Sequence, residues 1–189
     1  MPVTERFMPT VRRLAATEWQ ALRDIRLEMI TDTPMAYVEA LDSARNQTEM
    51  QWRTRATSMS TAGSVALVAD HGAVGGKLSA LMRVVVKIPQ DTYRPLQAML
   101  VSVYVVPELR GSGLAAELLH EAVTVAREDL GAGILQLGVH EDNARAMAFY
   151  ERNGFTDTGR REPYPLDTST SEIIMELELT PRADANSTA

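Results

Sequence analysis

Apolar positions along the chain switch between helical and alternating spacing several times, and each switch marks an element. Thr10 to Leu14 reads as a short first strand. Thr17-Glu18-Trp19-Gln20 has the form of a capping box, a hydroxyl residue with Gln three places on. Leu22, Ile25 and Met29 follow at helical spacing and predict a helix to about Ile30, stopped by Asp32-Thr33-Pro34. A second capping box, Thr48-Glu49-Met50-Gln51, opens a helix in which Trp52, Ala56 and Met59 share a face. From Ser64 the texture becomes that of strands. Val65 to Ala69, a turn at Asp70-His71-Gly72, and the Val-rich run Ala80 to Lys87 predict a hairpin. A loop at Gln90 to Pro95 leads to a strand from Gln97 to Val106, closed by Pro107.

The second half alternates. Leu114, Leu118, Leu119, Ala122, Val125 and Ala126 form one wide apolar stripe, a helix ended by Gly131-Ala132-Gly133. Ile134 to Val139 reads as a buried strand, and Asn143 to Asn153 as a helix with Gly154 at its left-handed cap. Phe155 to Arg160 and Ile173 to Leu179 are two more strands. The order predicts an α/β or α+β fold with a mixed sheet, in which Gln97 to Val139 forms a parallel pair with a right-handed crossover. No repeat or long linker divides the chain. One domain over residues 1–180 is expected, with the polar segment 181–189 as a disordered tail.

Composition narrows the function classes. The 189 residues include no Cys, which removes disulfides, thiolate metal sites and cysteine nucleophiles together. Lys plus Arg number 19 against 25 for Asp plus Glu, a net charge of −6, which disfavours nucleic acid and suits cationic partners. No apolar run approaches the ~20 residues of a membrane span, and the first residues lack a secretory pattern. The expectation is a soluble cytoplasmic protein with no membrane, metal or nucleic-acid partner.

Val105-Val106-Pro107-Glu108-Leu109-Arg110-Gly111-Ser112-Gly113-Leu114-Ala115 links a strand directly to a helix. Small residues at 111, 112, 113 and 115 let a ligand reach the backbone, and the unpaired amides of a helix start suit a pyrophosphate. Arg110 would add a forked cationic donor. A tight strand-to-helix turn without a ligand fits the same residues. Neither a Walker-type loop nor the dinucleotide fingerprint is present. Farther on, Asn143 and Tyr150 are seven apart on one helix face; each also has a plain structural role, as an N-cap and as a core aromatic with a satisfied hydroxyl.

Arg110-Gly111-Ser112-Gly113-Leu114-Ala115 resembles the Q/R-x-x-G-x-G/A signature of the GNAT superfamily of N-acetyltransferases. Leu137-x-Val139, Asn143, Ala146 and Phe149-Tyr150-Glu151-Arg152-Asn153-Gly154-Phe155 resemble its second signature. The resemblance implies a mostly antiparallel twisted sheet of about seven strands, a central splayed parallel pair, and about four flanking helices. It implies acetyl-CoA as co-substrate, its pyrophosphate on Arg110 to Ala115 and its pantetheine arm between the parted strands against Val103 and Val105, with Asn143 nearby. Tyr150 would be the general acid, an oxyanion would meet a backbone N–H at Tyr104–Val105, and an amine would attack directly. Some relatives place a Glu base on a central strand; the corresponding positions here are Met99 and Gly138, leaving His140, Glu141 or a water chain as substitutes. The acceptor, a small molecule or a protein N-terminus or lysine, would sit among Arg26, Glu28, Asp32, Tyr37, Tyr164, Asp167 and Glu172. A homodimer is compatible with the resemblance. A non-catalytic acyl-CoA-binding module of the same fold is the alternative.

Overall fold

The computed structural model describes residues 9–72, 76–87 and 95–179. The loop expected at 90–95, up to 94, and the tail from 181 lie outside the described residues. The chain runs β1 (Thr10–Arg13), α1 (Trp19–Asp32), α2 (Leu41–Arg45), α3 (Glu49–Ser58), β2 (Ser60–Thr61), β3 (Ser64–Asp70), β4 (Ala80–Lys87) and β5 (Gln97–Val105). It continues with α4 (Leu114–Thr124), β6 (Ile134–His140), α5 (Ala144–Arg152), β7 (Thr156–Tyr164) and β8 (Asp167–Glu178). The sheet order is β1-β3-β4-β5-β6-β8-β7, with β2 paired to β3, and β5–β6 is its parallel pair.

Alternation along the strands splits the core between the two faces. One face buries Leu67, Met82, Leu100, Leu135 and Leu137 against the α4 stripe of Leu114, Leu118, Leu119 and Ala122. The other packs Val68 and Leu81 beneath Leu22, Ile25 and Met29 of α1 and Trp52 and Ala56 of α3. Each fully buried Leu is worth roughly 1.5–3 kcal/mol, so these two layers hold the sheet on which the site is built.

Three details depart from the sequence reading. The capping box at Thr17 does not form: Glu18 takes the N-cap position with no side-chain cap, because its buried carboxylate accepts from the Ala15 amide at 2.8 Å and from Arg12. The box at Thr48–Gln51 is complete. Helix α4 continues into a π-helical turn, Val125–Asp129. The residues between the last two strands are not a separate loop, since β7 and β8 form a long hairpin in which Glu162 faces Glu172 and Pro163 faces Ser171. This stretch is polar on both faces, so no alternation betrayed it.

Between α1 and α2 the chain is pinned by charge. Glu39 accepts from Arg26 at 2.7 Å, from Arg55 at 2.8 and 2.9 Å, and from Gln47 at 3.0 Å. Burial pushes the Glu39 carboxyl up, but the Arg55 hydrogen bonds and the Arg26 charge outweigh it and hold the group at about 2. A carboxyl held below its ordinary value adds stability above that value and loses it as the pH falls toward 2. Glu39→Gln leaves the buried Arg26 without its counter-charge and should cost about 2 kcal/mol at neutral pH. Thermal melts from pH 7 to pH 2 should show the gap from wild type closing as the pH falls below about 4.5; a constant gap would remove the ionic contribution.

Candidate functional site

Strands β5 and β6 hold each other over only three residue pairs, Gln97–Ile134, Ala98–Leu135 and Met99–Gln136, and then part. The cause lies in β5. Ser102 and Val103 together oppose Met82 of β4, a bulge in which Ser102 takes φ 56°, a left-handed conformation costly for a residue with a Cβ. The bulge bends β5 away from its parallel neighbour. Between the parted strands runs a cleft of about 920 Å³, which reaches from Gly111 and Gly113 past Tyr150 to Met99, Gln136 and the β7–β8 hairpin.

At one end lies the turn before α4. Gly111 and Gly113 adopt φ 82° and 96°, and Gly113 is the N-cap of α4. Among the described residues the amides of Gly111, Gly113 and Ala115 find no acceptor, while those of Ser112 and Leu114 bond within the turn and Ala116 closes onto the Gly113 carbonyl. Three free N–H groups at a helix start make an anion cradle. Arg110 lines the cleft, yet its guanidinium is engaged elsewhere: it pairs with Asp32 at the end of α1 and donates to the Val105 carbonyl at 3.0 Å. The hydroxyl of Ser112 is likewise turned inward, donating to the Leu109 carbonyl at 2.7 Å. Leu114 is a buried core residue; Ala115 lines the cleft.

Along the cleft wall, the Val103 carbonyl accepts the Tyr37 hydroxyl at 2.9 Å, so the carbonyls of Val103 and Val105 are both met by side chains. Tyr37 is held in place by Arg26 over its ring at 5.0 Å. The Tyr164 hydroxyl donates to the Tyr37 carbonyl at 3.0 Å and ties the hairpin to this wall. Asn143 caps α5 through its side-chain oxygen, which accepts from the Ala146 amide at 3.1 Å, the plain capping role, and the residue also lines the cleft.

Tyr150 is only 6% exposed, packed edge-on against Phe149 and Phe155. Its hydroxyl has no hydrogen-bond partner among the described residues, so the core-aromatic reading with a satisfied hydroxyl does not hold. Burial pushes its phenol pKa well up. Tyr104, on the same wall, also buries an unpartnered hydroxyl, and burial with the charges of Asp32 and Glu28 pushes it up to about 12.

His140 ends β6 and is only 6% exposed. Its Nδ1 accepts the Asp142 amide at 3.2 Å and its Nε2 meets Thr170 Oγ1 at 3.1 Å, which assigns the proton to Nε2 and leaves no free lone pair. Of the polar residues expected around the acceptor, Arg26, Tyr37 and Tyr164 are buried and only Glu172 enters the cleft as a half-buried carboxylate. The sequence reading named Tyr104 only for a backbone amide and missed its hydroxyl, as it missed the bulge at Ser102. A Tyr in an alternating strand carries no mark of an unpartnered hydroxyl, and a Ser carries none of a left-handed φ.

Among the described residues no group of three or more His, Asp or Glu could hold a metal, and no helix is long and apolar enough to cross a membrane. The family model described as the acetyltransferase (GNAT) family matches residues 19–155. An uncharacterized N-acetyltransferase of Mycobacterium tuberculosis is 41% identical over 58 residues, 31% of this chain and 36% of that protein. The peptidyl-lysine N-acetyltransferase YjaB of Escherichia coli is 35% identical over 71 residues, 34% of this chain and 44% of that protein. The chain thus spans less than half the length of these curated relatives. The structure of yncA from Salmonella typhimurium with its cofactor acetyl-CoA is 21% identical, covers 95% of this chain and 99% of that one, and superposes with a TM-score of 0.72.

The bulge carries its own test. Ser102→Gly relieves a left-handed Cβ and should hold or raise the thermal midpoint, whereas Ser102→Val should cost about 1–2 kcal/mol in chemical denaturation. Equal stability of the two variants would mean that the strands part for another reason.

Proposed function

The chain belongs to the GNAT acetyltransferase family, and from that premise we propose that it moves the acetyl group of acetyl-CoA directly onto a primary amine. The acceptor is a small molecule or a protein N-terminus or lysine, and the reaction runs in a ternary complex with Tyr150 as general acid. The observation that carries this reading is the Tyr150 hydroxyl, placed in the cleft on a buried ring with no protein partner to satisfy it.

The free amides of Gly111, Gly113 and Ala115 would hold the diphosphate, and the edges of β5 and β6 beyond Met99–Gln136 would receive the pantetheine arm like an added strand, the Val103 and Val105 carbonyls being already taken by Tyr37 and Arg110. Attack of the amine gives an oxyanion, which a β5 amide beside Tyr104–Val105 would stabilise. Collapse then expels a thiolate. Burial keeps the Tyr150 phenol protonated throughout the neutral range, so its proton is present when the sulfur needs it. A free thiol has a pKa of about 8.5, below a phenol, but a thiolate leaving into the same desolvated cleft is raised too. Shared burial, not solution pKa values, matches donor to acceptor.

Two variants test the reading. Tyr150→Phe should lower kcat by about 100-fold or more in thiol-release assays across a panel of amines, with a much smaller change in CoA affinity. Unchanged turnover would remove the phenol from the reaction, and saturable CoA binding without thiol release from any amine would favour the non-catalytic module. Ala116→Asp separates ligand from fold at the cradle. An acid in the first turn of α4 favours the helix dipole, so the melting midpoint should hold or rise, while repulsion of the diphosphate should weaken CoA about tenfold by calorimetry. Undiminished affinity would place the phosphates elsewhere.

A further inference from the structure

Two carboxylates, Glu162 and Glu172, line the cleft. They face each other across β7 and β8, and His140 of β6 stands opposite Glu172 on its other side, so the three share one row of the sheet face. Glu162 is exposed and accepts from Arg160 at 2.7 Å. Of the cations lining the cleft, Arg26 pairs with Glu39, Arg110 with Asp32, and Lys87 donates to the Gln136 side chain at 2.9 Å, while Arg145 and Arg152 are exposed. Glu172 differs. Its carboxylate is half-buried and makes no hydrogen bond or ion pair among the described residues.

The place it occupies is made by a missing side chain. A Cβ built on Gly138 of β6 would lie 3.3 Å from the Glu172 carboxyl carbon and 3.3 and 3.4 Å from its two oxygens. The glycine therefore leaves the volume over the parted strand into which the neighbouring strand swings its carboxylate. Burial first, then the Glu162 charge, push the Glu172 pKa up; His140 pulls the other way. Tyr164, the remaining titratable neighbour, is itself pushed up by burial and then by Glu172. His140 has no lone pair to offer, as its ring is held between Thr170 and the Asp142 amide.

An unpaired carboxylate in a desolvated groove is costly unless a cation arrives. We propose that Glu172 receives the ammonium group of the acceptor and takes its proton, so that the acceptor enters as a cationic primary amine. The proposal rests on the acetyl-transfer reading above. The ammonium cedes one proton to the Glu172 carboxylate, and the freed lone pair forms the C–N bond to the thioester carbon. The C–S bond then breaks, the sulfur takes the proton of Tyr150, and the amide nitrogen gives up its second proton to return the phenol. The sum is acetyl-CoA and an ammonium giving an amide, CoA thiol and one proton, which leaves Glu172 for solvent.

The test uses n-butylammonium as probe and 1-butanol as its neutral counterpart, titrated by calorimetry onto the full chain saturated with CoA. The wild type should bind the ammonium and not the alcohol. Glu172→Gln should weaken the ammonium about ten- to a hundredfold with CoA affinity unchanged, the range expected for loss of one charged hydrogen bond. Moving the carboxylate across the gap, in Gly138→Glu combined with Glu172→Ala, should recover part of the affinity. In the thiol-release assay, Glu162→Gln should shift the acidic limb of kcat/KM to lower pH by relieving the repulsion on Glu172. Ammonium binding that ignores Glu172→Gln, or a wild type that binds butanol equally, overturns the assignment. Should Glu172→Gln fail to fold, as a lost CoA response would show, the double variant and the Glu162→Gln profile decide. Loss of CoA binding by the wild type would instead overturn the acetyl-transfer reading itself.

Discussion

Everything in the cleft depends on two parallel strands that stop bonding to each other after three residues. A parallel ladder is normally buried and continuous, because unpaired backbone groups in a core are expensive. Here the ladder ends at Met99–Gln136, and the strands beyond it need other partners. The carbonyl of Val103 is met by Tyr37 and that of Val105 by Arg110, so side chains from outside the sheet prop the gap open from one wall. The same two residues join the gap to α1 and to the segment after it. Arg110 is paired with Asp32, and Tyr37 is held by Arg26 and by the hairpin through Tyr164. A change in the strand gap is therefore felt by both helices and hairpin.

The electrostatics of the two ends differ in kind. A chain of net charge −6 gains nothing from bulk attraction to a polyanion, and its one arginine in the signature turn is already neutralised by Asp32. On the proposed reading, recognition of the diphosphate falls to uncharged dipoles, the free amides of Gly111, Gly113 and Ala115. Those need no countercharge and are fixed by the turn before the ligand arrives. At the other mouth the acidity is useful, since it draws in a cation and Glu172 gives it a place to stop.

Much of this was legible in the residues. The α4 stripe, the Val-rich hairpin and the Thr48 capping box follow from spacing alone, and the small residues at Gly111-Ser112-Gly113 marked the turn from strand to helix. What was not legible shares one property: it depends on contacts distant in sequence. Glu18 abandons a local capping box because Arg12 and the Ala15 amide claim its carboxylate. The β7–β8 extension is polar on both faces and is held by backbone pairing, which composition does not record. The burial of His140, one place beyond the strand read at Ile134 to Val139, comes from Thr170 and Tyr164, far along the chain. The carboxylate absent at Met99 and Gly138 was sought on the strand where relatives carry it, and a glycine looked like an absence. Its emptiness is what admits a carboxylate from the next strand.

That substitution of strand for strand also keeps the two proton-handling groups from exchanging roles. Burial raises both the phenol of Tyr150 and the carboxyl of Glu172, and the phenol starts from the higher ordinary value, 10.0 against 4.5. On the proposed reading the phenol is the donor and the carboxylate the acceptor, with no need for a coupled pair sharing a single proton. Holding His140 between Thr170 and the Asp142 amide takes it out of the competition and turns it into a support for the row that presents Glu172.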